Sequence, residues 1–204
     1  MHLNLTQLPH PAVYKLLTNL VIPRPIGWVV SRSANNILNL APFSFFNVVG
    51  SAPPLVILGI GDETPGQPKH TAANVAATRD FVVNLVTEEL LGAMNISAAD
   101  FPADISEIPA AGVTTTPSTQ ISVPRITEAK VALECTLESH QRIGANNLIL
   151  GRVLAIHIDD TLIDPTTLHI QNFYPLARLG SPSMYARTTD RLNLPRLTYR
   201  DLNP

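Results

Sequence analysis

Two stretches of this chain hold residue types that could do chemistry. The first runs from Arg24 to Pro54, where the apolar Ile26-Gly-Trp-Val-Val-Ser31 leads to Asn39-Leu-Ala-Pro-Phe-Ser-Phe-Phe-Asn47 and then to Pro53-Pro54. Small hydroxyl and amide side chains sit among large aromatics, with almost no formal charge. That mixture suits a flat heteroaromatic ring edged with hydrogen-bonding groups, because small residues let backbone donors approach the ring closely. Each aromatic also reads as a core anchor, and Trp28, Phe43 and Phe46 fit that role better. The second stretch is Lys69-His-Thr71. Thr71 can cap a helix over about Ala72 to Arg79, which would place a hydroxyl, free backbone N–H groups and a helix dipole where an anion is stabilised, with Lys69 beside it. On the residues alone, an ordinary capped surface helix is the simpler reading.

Other chemistries find little support. A dinucleotide fold needs Gly-x-Gly-x-x-Gly opening a helix; the nearest approach, Gly59-Ile-Gly61, runs into an acidic, proline-bearing loop. There is no phosphate-binding Gly-x-x-x-x-Gly-Lys loop and no Gly-x-Ser-x-Gly nucleophile turn. The histidines at 2, 10, 70, 140, 157 and 169 show no metal-like pairing, and the alternation of His157 with Asp159 reads as a solvated strand face. A net charge of −2 without a Lys/Arg cluster argues against nucleic acid. The apolar runs are of strand length, too short to span a bilayer, and no N-terminal signal pattern is visible, so a cytoplasmic location is expected. The single cysteine, Cys135, lies in an alternating segment and reads as a buried structural thiol.

These residues must be positioned by a mainly β chain. In 204 residues there are 18 prolines, which favours turns and strand ends over long helices. A short helix is expected over Pro11–Leu20, then strands over Ile26–Arg32 and Ile37–Leu40 joined by a turn at Ser33–Asn36, and an apolar strand over Leu55–Ile60. Strand Phe81–Val86 follows the Thr71 helix, and a helix begun at Thr87 reaches Ala98. Phe101–Pro124 reads as an irregular excursion, and strands over Val131–Ser139 and Asn147–Ile158 complete the pattern. Only 15% of residues are charged, so some surface is expected to be hidden, most simply in an oligomer.

Taken in order, Arg24-Pro-Ile-Gly-Trp-Val-Val-Ser31, Asn39 to Asn47, Pro53-Pro54, Lys69-His-Thr71 with Asn74, Phe81-Val-Val-Asn84 and Arg178-Leu-Gly180 resemble the flavin reductase-like FMN-binding split-barrel family. The similarity spans about residues 10 to 187 and is closest to flavoredoxin-type proteins and the reductase components of two-component monooxygenases. It implies a six-stranded antiparallel Greek-key split β-barrel with peripheral helices, as one domain over 1–187 and a homodimer with flavin near the subunit interface. The tail 188–204 is then either disordered or an arm on the partner.

The resemblance assigns Ser31, Asn39, Ala41, Pro42, Ser44 and Phe45 to the flavin ring and ribityl chain. It assigns Lys69, His70, Thr71 and Asn74 to the neighbourhood of the phosphate, and Arg178, followed by Tyr185, to the reduced flavin or a nicotinamide phosphate. Arg24 is either a surface ion or a flavin-side contact. Two positions depart from the family: His70 stands where an acidic residue is common, and Ser181-Pro182 replace a second glycine and its successor. The implied activity is hydride transfer from NADH or NADPH to FMN, with electrons passed to free flavin or a partner monooxygenase. An FMN-bound electron carrier without direct nicotinamide use, and a non-catalytic barrel, remain the alternatives.

Overall fold

The computed structural model describes residues 1–180 and 182–203. In chain order its main elements are α1 (His10–Leu20), β1 (Gly27–Arg32), β2 (Leu38–Phe43), β3 (Phe46–Ser51), β4 (Pro54–Thr64), α2 (His70–Thr78), β5 (Asp80–Leu85), α3 (Leu91–Ile96), α4 (Glu107–Ala111), β6 (Val131–Ile143) and β7 (Asn146–Ile158). The strands pair antiparallel in the order β2-β1-β5-β6-β7-β4-β3, and Gln67–Pro68 adds to the end of β4. β2 and β3 stand at opposite ends of this path, yet only Ser44 and Phe45 separate them in the chain. So short a link requires the sheet to curl until its ends meet. The corner is fastened to β4 by the Gly59 N–H, which donates to the Phe45 carbonyl at 2.7 Å.

The central strands are apolar on both faces because each face meets a core. Val29, Phe81 and Val83 turn into one cluster with Phe46, Leu58, Ile60, Cys135 and Ile149. Trp28, Val30 and Val82 turn into a second, under Leu90, Met94, Ile108 and Ala111. This is the pattern expected of strands covered on both sides. Gly151 on β7 leaves room for the Phe81 ring, which a side chain at 151 would strike. Cys135 is buried, and burial pushes its thiol up from its ordinary pKa.

Several sequence expectations need correction. β2 does not stop at Leu40 but runs to Phe43, and β3 (Phe46–Ser51) had no clear alternation to announce it. The helix expected over Thr87–Ala98 is a 3-10 turn at Glu88–Leu90 followed by α3, two pieces that still bury Leu90 and Met94 on one side. Phe101–Pro124 is not wholly irregular. It contains α4 and the strand Thr115–Thr116, which pairs with Arg125–Ile126 just beyond the segment, all too short for any periodicity to show, and Ile108, Ala111 and Ile126 cover the second core.

His157 is not a solvated strand residue: its Nε2 meets Glu134, which is fully buried on β6. Beyond Ala186 the chain leaves the barrel. Arg191 donates to the Phe173 carbonyl at 2.6 Å, while Leu192, Leu194 and Tyr199 are exposed. No described helix is long and apolar enough to cross a membrane.

Candidate functional site

β2 is the terminal strand of the sheet path, so alternate backbone groups along it face no neighbouring strand. Pro42 fits such an edge, where a missing N–H removes no ladder bond. Leu40, two residues earlier, directs its N–H outward to the carboxylate of Glu107 at 2.8 Å. Asn39 lies between Glu107 and Thr71. In the amide orientation that satisfies both of its ends, it donates to Glu107 Oε1 at 3.2 Å and accepts from the Thr71 hydroxyl at 2.9 Å. Burial pushes the Glu107 carboxyl above its usual range, against the opposing pull of the Leu40 N–H and of His70.

α2 begins two residues earlier than expected, at His70. Lys69 is the residue before the helix and caps nothing with its side chain, His70 is the first helical residue, and Thr71 is buried in the first turn. The expectation that Thr71 caps the helix is therefore corrected: its hydroxyl is held by Asn39 instead. The free N–H groups of the first turn and Lys69 still lie together, since Lys69, His70 and Thr71 line one cavity of about 100 Å³ with Asn39, Ala41 and Glu107. Asn74, one turn on, donates to the Ser31 hydroxyl at 3.1 Å. This bond seats α2 against β1.

A second cavity, of about 340 Å³, adjoins the first, and the two share Pro42, Phe43 and Ala98. Together they form one groove along β2. Arg24 and Arg178 line its far part with Tyr14, Ser44 and Tyr185. Arg24 is buried, which settles the alternative left open for it: it is not a surface ion. Its guanidinium donates to the carbonyls of Thr18 (2.6 Å), Val21 (2.8 Å) and Leu179 (2.9 Å), and to Ser44 Oγ at 3.3 Å. Burial lowers the Arg24 pKa from its ordinary value, and nearby Arg178 adds to that while Tyr14 opposes it.

Arg178 donates to the Tyr185 hydroxyl at 2.6 Å and to the Pro182 carbonyl at 2.7 Å, stacked on the Tyr185 ring. Neither arginine is in an ion pair among the described residues, and no described residue lining this cavity is acidic. Unpaired charge held out of water favours an incoming anion.

Of the residues singled out in the sequence, Asn39, Ala41, Pro42, Lys69, His70 and Thr71 meet at one end of the groove, and Ser44 and Arg178 at the other. Ser31 is fully buried under Asn74, and Asn74 lines a neighbouring cavity with His70. Phe45 is 44% exposed and lines neither cavity, although its ring lies 6.3 Å from that of Tyr14 and 6.0 Å from the Arg24 guanidinium. His70 lies 3.9 Å from Glu63, so an acidic group is still near that position, carried by β4. Ser181 of the second departure lies outside the described residues. Glu107 was missed. Its one sequence signal was Ser106 ahead of an acidic first turn, and the Ser106 hydroxyl does accept from the Ile108 N–H at 3.4 Å.

Residues 19–177 match the family model described as flavin reductase like domain. Among solved structures, 2-nitrobenzoate 2-nitroreductase of Pseudomonas fluorescens is 37% identical, with a TM-score of 0.89 over 98% of each chain. Nitrilotriacetate monooxygenase component B of Bacillus cereus is 33% identical, with a TM-score of 0.90 over 95% of this chain and 98% of its own. A Shewanella frigidimarina protein with a split barrel domain, 19% identical, shares the fold at a TM-score of 0.80 over 97% of this chain and all of its own. The curled antiparallel sheet is thus a split barrel, and the chain belongs to the flavin reductase like domain family.

Proposed function

We propose that the groove along β2 holds FMN and that the protein is an NADH- or NADPH-dependent flavin reductase. The observation that carries this reading is the groove's polarity. One end gathers Lys69, His70 and the first turn of α2 with Asn39 and Ala41, the middle is Pro42, Phe43 and Ala98, and the far end carries two guanidinium groups with no ion-pair partner among the described residues. A phosphate suits the first end, where backbone N–H groups and a cation converge. A flat ring suits the wall made by Pro42, Phe43 and Ala98, which leaves Arg24 and Arg178 to offset negative charge that grows on the ring's side. When bound, FMN would supply the redox chemistry, taking hydride from the nicotinamide and passing electrons onward. The chain's own residues bind, orient and exclude water; no side-chain base is assigned.

The test is a visible spectrum of protein purified without added cofactor, repeated after adding FMN and then NADH or NADPH under anaerobic conditions. Rapid bleaching with either nucleotide supports the reading and names the donor. A bound flavin that stays oxidised assigns the protein as an electron carrier fed by another donor. No flavin uptake leaves a non-catalytic barrel.

The arginine pair favours a second reading of the acceptor. The Pseudomonas neighbour is named for 2-nitrobenzoate, an aromatic carboxylate. A carboxylate-bearing acceptor would find Arg178 with donors to spare beside the aromatic rings of Phe43, Tyr14 and Tyr185. Reduction of 2-nitrobenzoate but not of nitrobenzene by the loaded protein would support it; equal rates would remove it. The Bacillus neighbour, a monooxygenase component, makes a partner monooxygenase the other destination for electrons. We place the protein in the cytoplasm as a homodimer in which the exposed Leu192, Leu194 and Tyr199 of the tail arm meet a second copy. A monomer mass in light scattering at micromolar concentration would contradict the dimer.

A further inference from the structure

Glu107 sits in the wall of the cavity to which the phosphate is assigned. It is 4% exposed and belongs to no ion pair among the described residues. The Leu40 N–H satisfies Oε2 at 2.8 Å, and Oε1 is left to Asn39. The charged groups facing it across the cavity are Lys69 and His70 from the start of α2, Glu63 from β4, and Asp100 from the turn after α3. Three carboxylates therefore share this cavity with two basic side chains.

The Asn39 amide can take two orientations, and each gives Thr71 a different role. With Glu107 ionised, both carboxylate oxygens accept, so Asn39 turns its NH2 toward Glu107 and its oxygen toward Thr71. The Thr71 hydroxyl must then donate inward to Asn39, and it has no hydrogen to offer the cavity. With Glu107 protonated, the carboxyl can donate to the Asn39 oxygen, and the NH2 turns to donate to Thr71 Oγ1 at 2.9 Å. The Thr71 hydrogen is thereby released to face an anion. Adding a phosphate also raises the repulsion on an ionised Glu107, so both effects favour the protonated state.

We propose that Glu107 is a positioning residue that acts through Asn39 to set which way the Thr71 hydroxyl donates, so that a phosphate-bearing ligand binds together with one proton on Glu107. The inference rests on the FMN reading above. The raised proton affinity that burial gives Glu107 agrees with it but is not needed for the geometry.

The experiment is an FMN titration of the full-length protein at several pH values, with riboflavin, which lacks the phosphate, as the comparison ligand. The wild type should lose affinity for FMN as pH rises, approaching tenfold per pH unit above the Glu107 transition, with about one proton taken up on binding. Glu107→Gln cannot ionise, so its FMN affinity should lose that part of the slope and stay near the low-pH wild-type value; riboflavin affinity should follow pH in neither protein. Equal FMN slopes in wild type and Glu107→Gln would overturn the proposal and assign the slope to the phosphate itself or to His70.

If Glu107→Gln does not fold, calorimetry of wild-type FMN binding in buffers of different ionisation enthalpy takes its place. Proton uptake that is present with FMN and absent with riboflavin supports the proposal, and no uptake overturns it. Failure to bind FMN at any pH is a separate result: it overturns the flavin reading, and this inference with it.

Discussion

Glu134 on β6 and Glu107 on α4 are both buried carboxylates, 0% and 4% exposed, in regions of the molecule with different tasks. Around Glu134 the donors are complete. The Thr119 and Gln120 N–H groups each donate at 2.7 Å, the Thr119 hydroxyl donates at 3.1 Å, and His157 Nε2 meets the same carboxylate. Burial alone would push the carboxyl up, but these hydrogen bonds outweigh it and hold Glu134 at about 2. Glu107 receives one backbone N–H and a shared amide, too few to outweigh burial, so its carboxyl rises. Burial does not decide the charge of a carboxyl group; the number of donors aimed at it does. The full set ties the segment before β6 to the barrel, whereas the partial set leaves a group free to change state beside a groove.

The strongest way to break this comparison is to remove the well-paired member. Glu134→Ala leaves two buried N–H groups and His157 without their acceptor, and stability should fall by about 3 kcal/mol. Urea unfolding measures it, and a loss as small as that of an exposed substitution would show that the clamp is idle. Acid gives the next test. The folded Glu134 pKa of about 2 lies below the ordinary 4.5, so its stabilising contribution is complete above 4.5. Going down from there the unfolded chain takes the proton first, and roughly 3 kcal/mol is lost as pH falls toward 2. The wild type should weaken across this window more steeply than Glu134→Gln; parallel curves would refute the assignment.

At the groove, Thr71→Val keeps shape and removes the hydroxyl, so FMN affinity should drop about tenfold with the fold intact. A flavin titration with unchanged affinity would detach Thr71 from the phosphate. The smallest effect belongs to Glu107→Gln. A raised folded pKa favours the native state at low pH and loses that advantage as pH rises through it, opposite in sign to Glu134. At neutral pH the variant should be neutral or slightly more stable, within about 1 kcal/mol of wild type. A large loss of stability would make Glu107 a second structural clamp and erase the contrast.

How much could be read beforehand differs between the barrel and its site. Trp28, Val30, Phe81 and Val83 announced strands because their local pattern already requires two apolar faces. Asn39 to Ser44 announced the wall along the groove by residue type, and Lys69 to Thr71 announced one of its ends. β3 and α4 were hidden, because an exposed edge strand and a five-residue helix carry too few buried positions to show a period. The cap assigned to Thr71 failed because its hydroxyl had a better partner in Asn39, 32 residues earlier.

The amino-acid sequence by itself determined most of the strands, the first antiparallel hairpin and the chemical character of the groove, since alternation, proline placement and side-chain type act over a few residues. Tertiary structure alone decided which charges are buried and what they meet. Arg24 reaches the Leu179 carbonyl across 155 residues, and Glu107 reaches the Leu40 N–H across 67. No local spacing encodes such meetings. They arise when the two-residue link at Ser44 and Phe45 curls the sheet and the 86–126 segment folds down over the edge of β2.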